Sequence, residues 1–433
     1  MLRMFLCLMV LGATIAQADD WPQWMGPKRD NVWRETGLLD SLPKEPKIVW
    51  RAPVAGGYSG PAVAGDKVYV TDFVTKDDVK VDNFGKKAFP GVERILCLNE
   101  KTGRELWTKQ FPETYSISYP AGPRSTPIVD EDKVYFQGAE GTISCLNAIS
   151  GDVIWSKSLK EAYKTKATLW GYSSQPLIDG HKLIIIAGGE GSHCVALNKN
   201  SGDEIWRTGT ATEQGYCPPL IIQQAGVRQL VLCNPDAIYA VDPETGKELW
   251  SQEYKADNGA IIMTPLHWGN YLFVGGYNNK NIMIELASDK PGAKTLWRDQ
   301  LKKGVAPINV QPIVVDGKGY GVDQAGDLRC FDIPSGEILW TTPKPLGDRK
   351  VNSGTVFLVR AGTTDKFWMF AESGGLIIGQ LTPKGFTELS RMHVIEATNN
   401  AFGRAVVWCA PAFAHKRMYV RNDKELVCVD LAK

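Results

Sequence analysis

The chain has 433 residues, 22% of them charged and 43% hydrophobic, with a formal net charge of +1. Lys and Arg are dispersed along it, so no basic field for nucleic acid is available. Nowhere is a 3.6-residue apolar period sustained, which excludes the helical classes and leaves an all-β chain.

Met1 to Ala18 has the layout of an export leader. Arg3 supplies the positive start, Met4 to Ile15 the apolar stretch, and Ala16-Gln17-Ala18 a small-x-small cleavage site. The apolar stretch falls short of the roughly 20 residues that span a bilayer. An exported protein is expected, periplasmic or extracellular after cleavage near Ala18, with no transmembrane segment. Residues 19–39 read as an N-terminal extension, and residues 40–433 as one domain.

Ile48-Val49-Trp50 is the first strand-like run. Beyond it one phrase returns, as Cys97-Leu98-Asn99-Glu100-Lys101-Thr102-Gly103-Arg104-Glu105-Leu106-Trp107 and again from Cys145 to Trp155. Further copies close at Trp206, Trp250 and Trp340. Trp297 ends one that has lost its Thr/Ser-Gly turn. Self-similarity at steps of roughly 43–57 residues signals a propeller or solenoid.

The unit between Trp107 and Trp155 shows what is repeated. Ser125 to Val129 is a short apolar run, Lys133 to Phe136 alternates, Thr142 to Asn147 is a third strand, and Val153-Ile154-Trp155 opens a fourth. Turns at Asp130-Glu131-Asp132, Gly138 to Gly141 and Ile149-Ser150-Gly151 separate them. Short Val/Ile/Tyr/Phe runs punctuated by Gly, Asp and Asn are strand-and-hairpin signals, and four per unit make a propeller blade.

A proline marks the first strand of each unit, at Pro61, Pro127, Pro176, Pro219, Pro265, Pro312 and Pro411, with Gly354-Thr355 as the unit that lacks it. Proline has no N–H to give and suits the start of a strand. These marks count eight units. The last ends at Glu425 to Asp430 without a fourth strand, and Ile48-Val49-Trp50 is a spare one. The expected fold is an all-β, eight-bladed propeller of four-stranded antiparallel blades, closed by joining the N- and C-terminal strands in one blade. That closure removes a free sheet edge.

Of nine cysteines, Cys97, Cys145, Cys330 and Cys428 share one repeat position. Small buried hydrophobes account for them better than disulfides, because equivalent positions in neighbouring blades can be too far apart to bridge.

The recurring A-x-D/N-x-x-T/S-G-x-x-x-W phrase resembles the tryptophan-docking repeat of the pyrroloquinoline quinone (PQQ) type eight-bladed propellers. Asp20-Trp21-Pro22-Gln23-Trp24-Met25-Gly26-Pro27 and Gly57 to Val63 look like the start of exported bacterial PQQ-like repeat proteins. The resemblance implies that Trp50, Trp107, Trp155, Trp206, Trp250, Trp297 and Trp340 pack between blades, each against a neighbour's turn glycine. Two functions share this fold. Quinoprotein dehydrogenases oxidise alcohols or sugars, and non-enzymatic propellers such as the outer-membrane β-barrel assembly factor B do not.

Signs of the dehydrogenase are missing from the sequence. There is no vicinal Cys-Cys pair, no Glu/Asn set matching the Ca²⁺ ligands, and no C-x-x-C-H for haem. Gly188-Gly189-Glu190-Gly191 joins two strands rather than opening a helix, and Asp323 to Asp327 lacks the terminal Glu of a calcium loop. The five histidines form no ligand spacing. No catalytic residue, metal or cofactor is assigned; PQQ and Ca²⁺ belong to the dehydrogenase alternative.

Topology says where a site would lie. Loops between blades and loops joining second to third strands share one face. The segments before the proline marks carry Tyr58, Arg124, Trp170, Tyr172, Tyr216, Asn309, Asn352 and Arg404 to that mouth. Two departures from the repeat, Thr71 to Glu93 and Ser158 to Ser173, are expected on the same face without contributing strands. They hold Lys76, Lys80, Lys86, Lys87, Lys160, Lys164 and Lys166 beside Phe84, Phe89, Tyr163 and Trp170. Lysines beside exposed aromatics suit a partner surface. The expected function is a non-catalytic binding or assembly scaffold in the cell envelope, its partner another envelope or secreted protein. The alternative is a PQQ- and Ca-dependent dehydrogenase; a third reading, a propeller that handles extracellular polysaccharide, has no carboxylate pair to support it.

Overall fold

The computed structural model describes residues 19–433 apart from 80 and 82. The leader and Lys80 therefore lie outside the described residues. Among the described residues, eight blades of four antiparallel strands surround a central channel. Blade 1 runs through Ala62–Ala64, Lys67–Val74, Phe89–Asn99 and Glu105–Tyr115. Blades 2 to 7 open with Ile128–Asp130, Leu177–Asp179, Leu220–Gln224, Leu266–Trp268, Ile313–Val315 and Val356–Ala361. Blade 8 joins Ala412–Ala414, Arg417–Arg421 and Glu425–Asp430 to Ile48–Pro53, with Trp50 opposite Cys428. Among the described residues α-helix is confined to Leu159–Ala162, and no helix is long and apolar enough to cross a membrane.

The repeat tryptophans owe their direction to a defect in each ladder. Where the fourth strand pairs with the third, the register slips by one residue beside the tryptophan, as between Val153 and Trp155. A bulge bends the strand and re-aims the side chain. Directly opposite stands a small or slender residue: Cys97 for Trp107, Cys145 for Trp155, Ala196 for Trp206, Cys330 for Trp340. This explains the shared cysteine position. All eight described cysteines are free and buried, and burial pushes the Cys97 thiol up to about 12.

Each indole then reaches the next blade. Trp107 Nε1 donates to the Ala148 carbonyl at 3.2 Å, Trp155 to Lys199 at 3.0 Å, and Trp206 to Pro243 at 3.2 Å. Trp50 donates to Glu100 of blade 1 at 2.7 Å, which fastens the closed ring. Trp250 is the exception, donating to Gln229 Oε1 of its own blade at 2.7 Å. The next unit is the one whose Thr/Ser-Gly turn is missing.

Three sequence expectations need correction. Thr71 to Glu93 is not all loop, since Lys67–Val74 pairs with Phe89–Asn99 as far as Val74 opposite Val92. The excursion shrinks to residues 75–88. Ser158 likewise ends strand Val153–Ser158 and caps the short helix. Phe89 and Tyr163, expected as exposed aromatics, are buried.

Residues 19–39, read as an extension, run inside the ring. Trp21 exchanges backbone hydrogen bonds with Val63 of blade 1, and the Pro22 carbonyl accepts from Val129 of blade 2. Arg29 Nη1 donates to the Pro176 carbonyl of blade 3 at 2.7 Å. Val32–Trp33 adds a parallel strand to the inner edge of blade 7. The segment is a loop inserted into the channel, with Trp33 packed on Trp368 and Phe413 at 5.4 and 5.0 Å between ring centroids. Blade 7 is also the unit without proline. There the Thr355 N–H donates to the buried Glu372 carboxylate at 3.0 Å, a bond that proline would delete.

Candidate functional site

The inner-strand prolines start strands that line the channel, so the segments ahead of them converge at one rim. They enclose a cavity of about 230 Å³. Of the eight expected mouth residues, Tyr58, Arg124, Trp170, Tyr216 and Asn309 line it together. The other three do not. Tyr172 turns into the core between blades 2 and 3, where its hydroxyl donates to the Ala187 carbonyl at 3.2 Å. Asn352 is exposed outside the lining. Arg404 stands behind the wall, its Nε 2.6 Å from Glu372 Oε1 and its guanidinium 5.7 Å from the Phe402 ring.

The cavity also has rings that the expectation omitted: Trp24, Tyr119, Tyr277, Phe402 and Trp408. Tyr119 and Trp408 precede proline marks, so the same topological rule reaches them. Trp24 carries no repeat signal; it reaches the lining from the loop inside the channel. Phe84, from the excursion of blade 1, completes nine aromatic side chains. On one flank Trp170 lies 5.8 Å from Phe84 and 5.4 Å from Tyr216. On the other, Trp408 lies 5.4 Å from Tyr119 and 5.9 Å from Phe402.

Arg124 holds these segments in place. Its Nε donates to the Trp170 carbonyl at 3.0 Å, and Nη2 to Ser118 and Tyr119 at 2.8 and 2.7 Å. Nη1 donates to Gly122, and the guanidinium lies 5.0 Å from the Tyr58 ring centre. Burial lowers the Arg124 pKa. Behind this wall burial raises the Glu93 carboxyl to about 7, against the opposing pull of hydrogen bonds from Tyr115 and the Ala139 N–H.

The cavity does not fit a calcium–quinone pair. Among the described residues its lining has no Asp or Glu to hold a divalent cation, and its guanidinium gives most of its N–H groups to carbonyls. Among the described residues no group of three His, Cys, Asp or Glu side chains is placed to hold a metal.

Comparison with known proteins bears on the whole ring. Residues 42–216, 91–342 and 234–433 match the family described as outer membrane protein assembly factor BamB. The chain belongs to the BamB family. It is 28% identical over 110 residues to the BamB of Kangiella koreensis, across 24% of this chain and 26% of that protein. To the BamB of Yersinia pestis it is 23% identical over 207 residues, across 45% of this chain and 50% of that one. The matches thus span between a quarter and half the length of these curated relatives. Among solved structures, BamB from Moraxella catarrhalis superposes with a TM-score of 0.55 at 16% identity, covering 88% of this chain and 97% of the other. The quinohemoprotein alcohol dehydrogenase of Comamonas testosteroni gives 0.58 at 13% identity, covering 95% and 80%. At these identities both likenesses show the fold alone, so the BamB-family assignment rests on the sequence match.

Proposed function

We propose that this chain is an exported, non-catalytic propeller that serves as a binding scaffold in the assembly of outer-membrane proteins. The family match through every blade carries this reading. The leader-like Met1 to Ala18 supports export, and a cavity wall without a carboxylate among its described residues speaks against a metal-dependent oxidation at the mouth. Residues 75–88 and 158–173 form the partner surface around the rim, since recognition concentrates on irregular segments borne by a rigid scaffold.

Depleting the protein in its native cells and quantifying outer-membrane proteins in the membrane fraction tests the reading. A general fall in those proteins is expected; unchanged levels would sink it. Adding PQQ and Ca²⁺ to the purified protein should give no alcohol-dependent dye reduction. Micromolar quinone binding with substrate-dependent turnover would make this a dehydrogenase instead.

A further inference from the structure

We propose that the mouth cavity receives one aromatic side chain of a partner polypeptide, whose basic flanking residues lie in the trough beside it. The proposal rests on the scaffold reading above and names what the scaffold grips.

The chemistry of the wall selects the occupant. A cation is disfavoured, because among the described residues of the lining the only charged group is Arg124. A sugar needs many free hydrogen-bonding groups, and most polar groups here are already engaged. Asn83 Oδ1 accepts from Trp170 Nε1 at 3.3 Å, Ser173 Oγ donates to the Trp170 carbonyl at 3.0 Å, and Gln175 Oε1 accepts from the Thr126 N–H at 2.8 Å. What remains is a bowl of aromatic faces and edges, which attracts another ring. Two buried atoms of wall residues, Asn309 Oδ1 and Tyr119 Oη, have no hydrogen-bond partner among the described residues. At about 230 Å³ the cavity is smaller than the roughly 300–1,000 Å³ of pockets for drug-sized ligands, so it takes one ring rather than a large molecule.

The cavity does not end at its rim. Tyr58 and Tyr119 also line an adjoining trough of about 870 Å³, together with Val74, Thr75, Gly85 and Thr398 to Asn400. Asp77 and Asp423 line it too, and its described lining includes no Lys or Arg. A polypeptide that places a ring in the cavity lays its neighbouring residues here, and complementarity calls for positive charge.

The test is calorimetric titration of the purified chain with the capped peptide Gly-Lys-Trp-Lys-Gly. Three further titrants are the same peptide with Ala for Trp, the same with Glu for both Lys, and a chitin disaccharide. The Ala peptide should bind at least tenfold more weakly and the Glu peptide at least fivefold more weakly. Ser173→Phe, which fills the cavity, should abolish binding. Phe84→Ala changes a side chain that is 53% exposed, so it keeps the fold, and it should weaken the Trp peptide several-fold. Equal binding of Trp and Ala peptides, indifference to both substitutions, or binding of the disaccharide alone would overturn the proposal. If depletion lowers outer-membrane proteins but no peptide binds, the cavity assignment fails and the assembly reading stands. Tryptophan-dependent binding without a depletion effect supports the cavity and removes the assembly role.

Discussion

Gly103 sits where the ring is fastened, and substituting it separates two forces. Its φ is +68°, and a Cβ added there would fall 2.6 Å from the Trp50 ring. Left-handed backbone costs a residue with Cβ roughly 1–2 kcal/mol. Forcing a methyl group into a packed contact costs roughly 1–3 kcal/mol more. Gly103→Ala should therefore destabilise by about 2–5 kcal/mol. Gly226 supplies the control, because its φ is +75° but nothing lies within 4 Å of an added Cβ. Gly226→Ala should lose only the backbone part, roughly 1–2 kcal/mol. Trp50 is 7% exposed, and Trp50→Ala should cost roughly 3–5 kcal/mol. Once the indole is gone the added methyl has room, so Gly103→Ala in that background should cost no more than the control. The double-mutant cycle should show a coupling of roughly 1–3 kcal/mol, read from urea unfolding followed by far-ultraviolet circular dichroism. Strictly additive losses, or equal losses at Gly103 and Gly226, would refute the docking of Trp50 on that turn.

Three further outcomes are expected. Hydrogen bonds donated to the Asp20 and Glu100 carboxylates raise His415 to about 9, so its stabilising charge is fully present below the ordinary value near 6.5 and is lost as pH rises through about 9. The urea midpoint should fall over that window, and His415→Gln should flatten the fall. The raised pKa of buried Glu93 has the opposite chemical origin: its ionisation penalises the folded state increasingly from about pH 4.5 to about 7. Glu93→Gln should accordingly help more at pH 8 than at pH 5 in thermal melts. Deleting residues 40–52 removes the fourth strand of blade 8 and bares the edge of Glu425–Asp430, and light scattering should show self-association.

The blades were legible because each repeats a rule with a physical cause: proline where no N–H is needed, glycine under an indole, a small residue opposite a bulged tryptophan. What escaped lacked such repetition. Val32–Trp33 is two residues long and pairs in parallel, too short for any alternation to register. Asp72 looked like loop because a carboxylate interrupts the apolar pattern. It is fully buried in the strand, where Arg94 Nε donates to it at 2.8 Å and the Ala55 N–H at 2.6 Å. At the mouth, topology located the rim but not the rotation of each side chain. Trp170 and Tyr172 are two residues apart, yet one faces the cavity and the other the core.

The loop in the channel also gives the molecule a polarity. The Asp19 N–H donates to Glu35, whose carboxylate also accepts from Lys416, and Asp20 accepts from the Gly65 N–H at 3.0 Å. Gly65 and Lys416 lie in turns between first and second strands, on the end of the ring opposite the aromatic cavity. Both limbs of the loop therefore leave through the same end. A fluorophore or surface linkage attached at Asp19 itself is held at the end of the ring opposite the cavity. A support that holds the protein by that end presents the cavity outward, unobstructed.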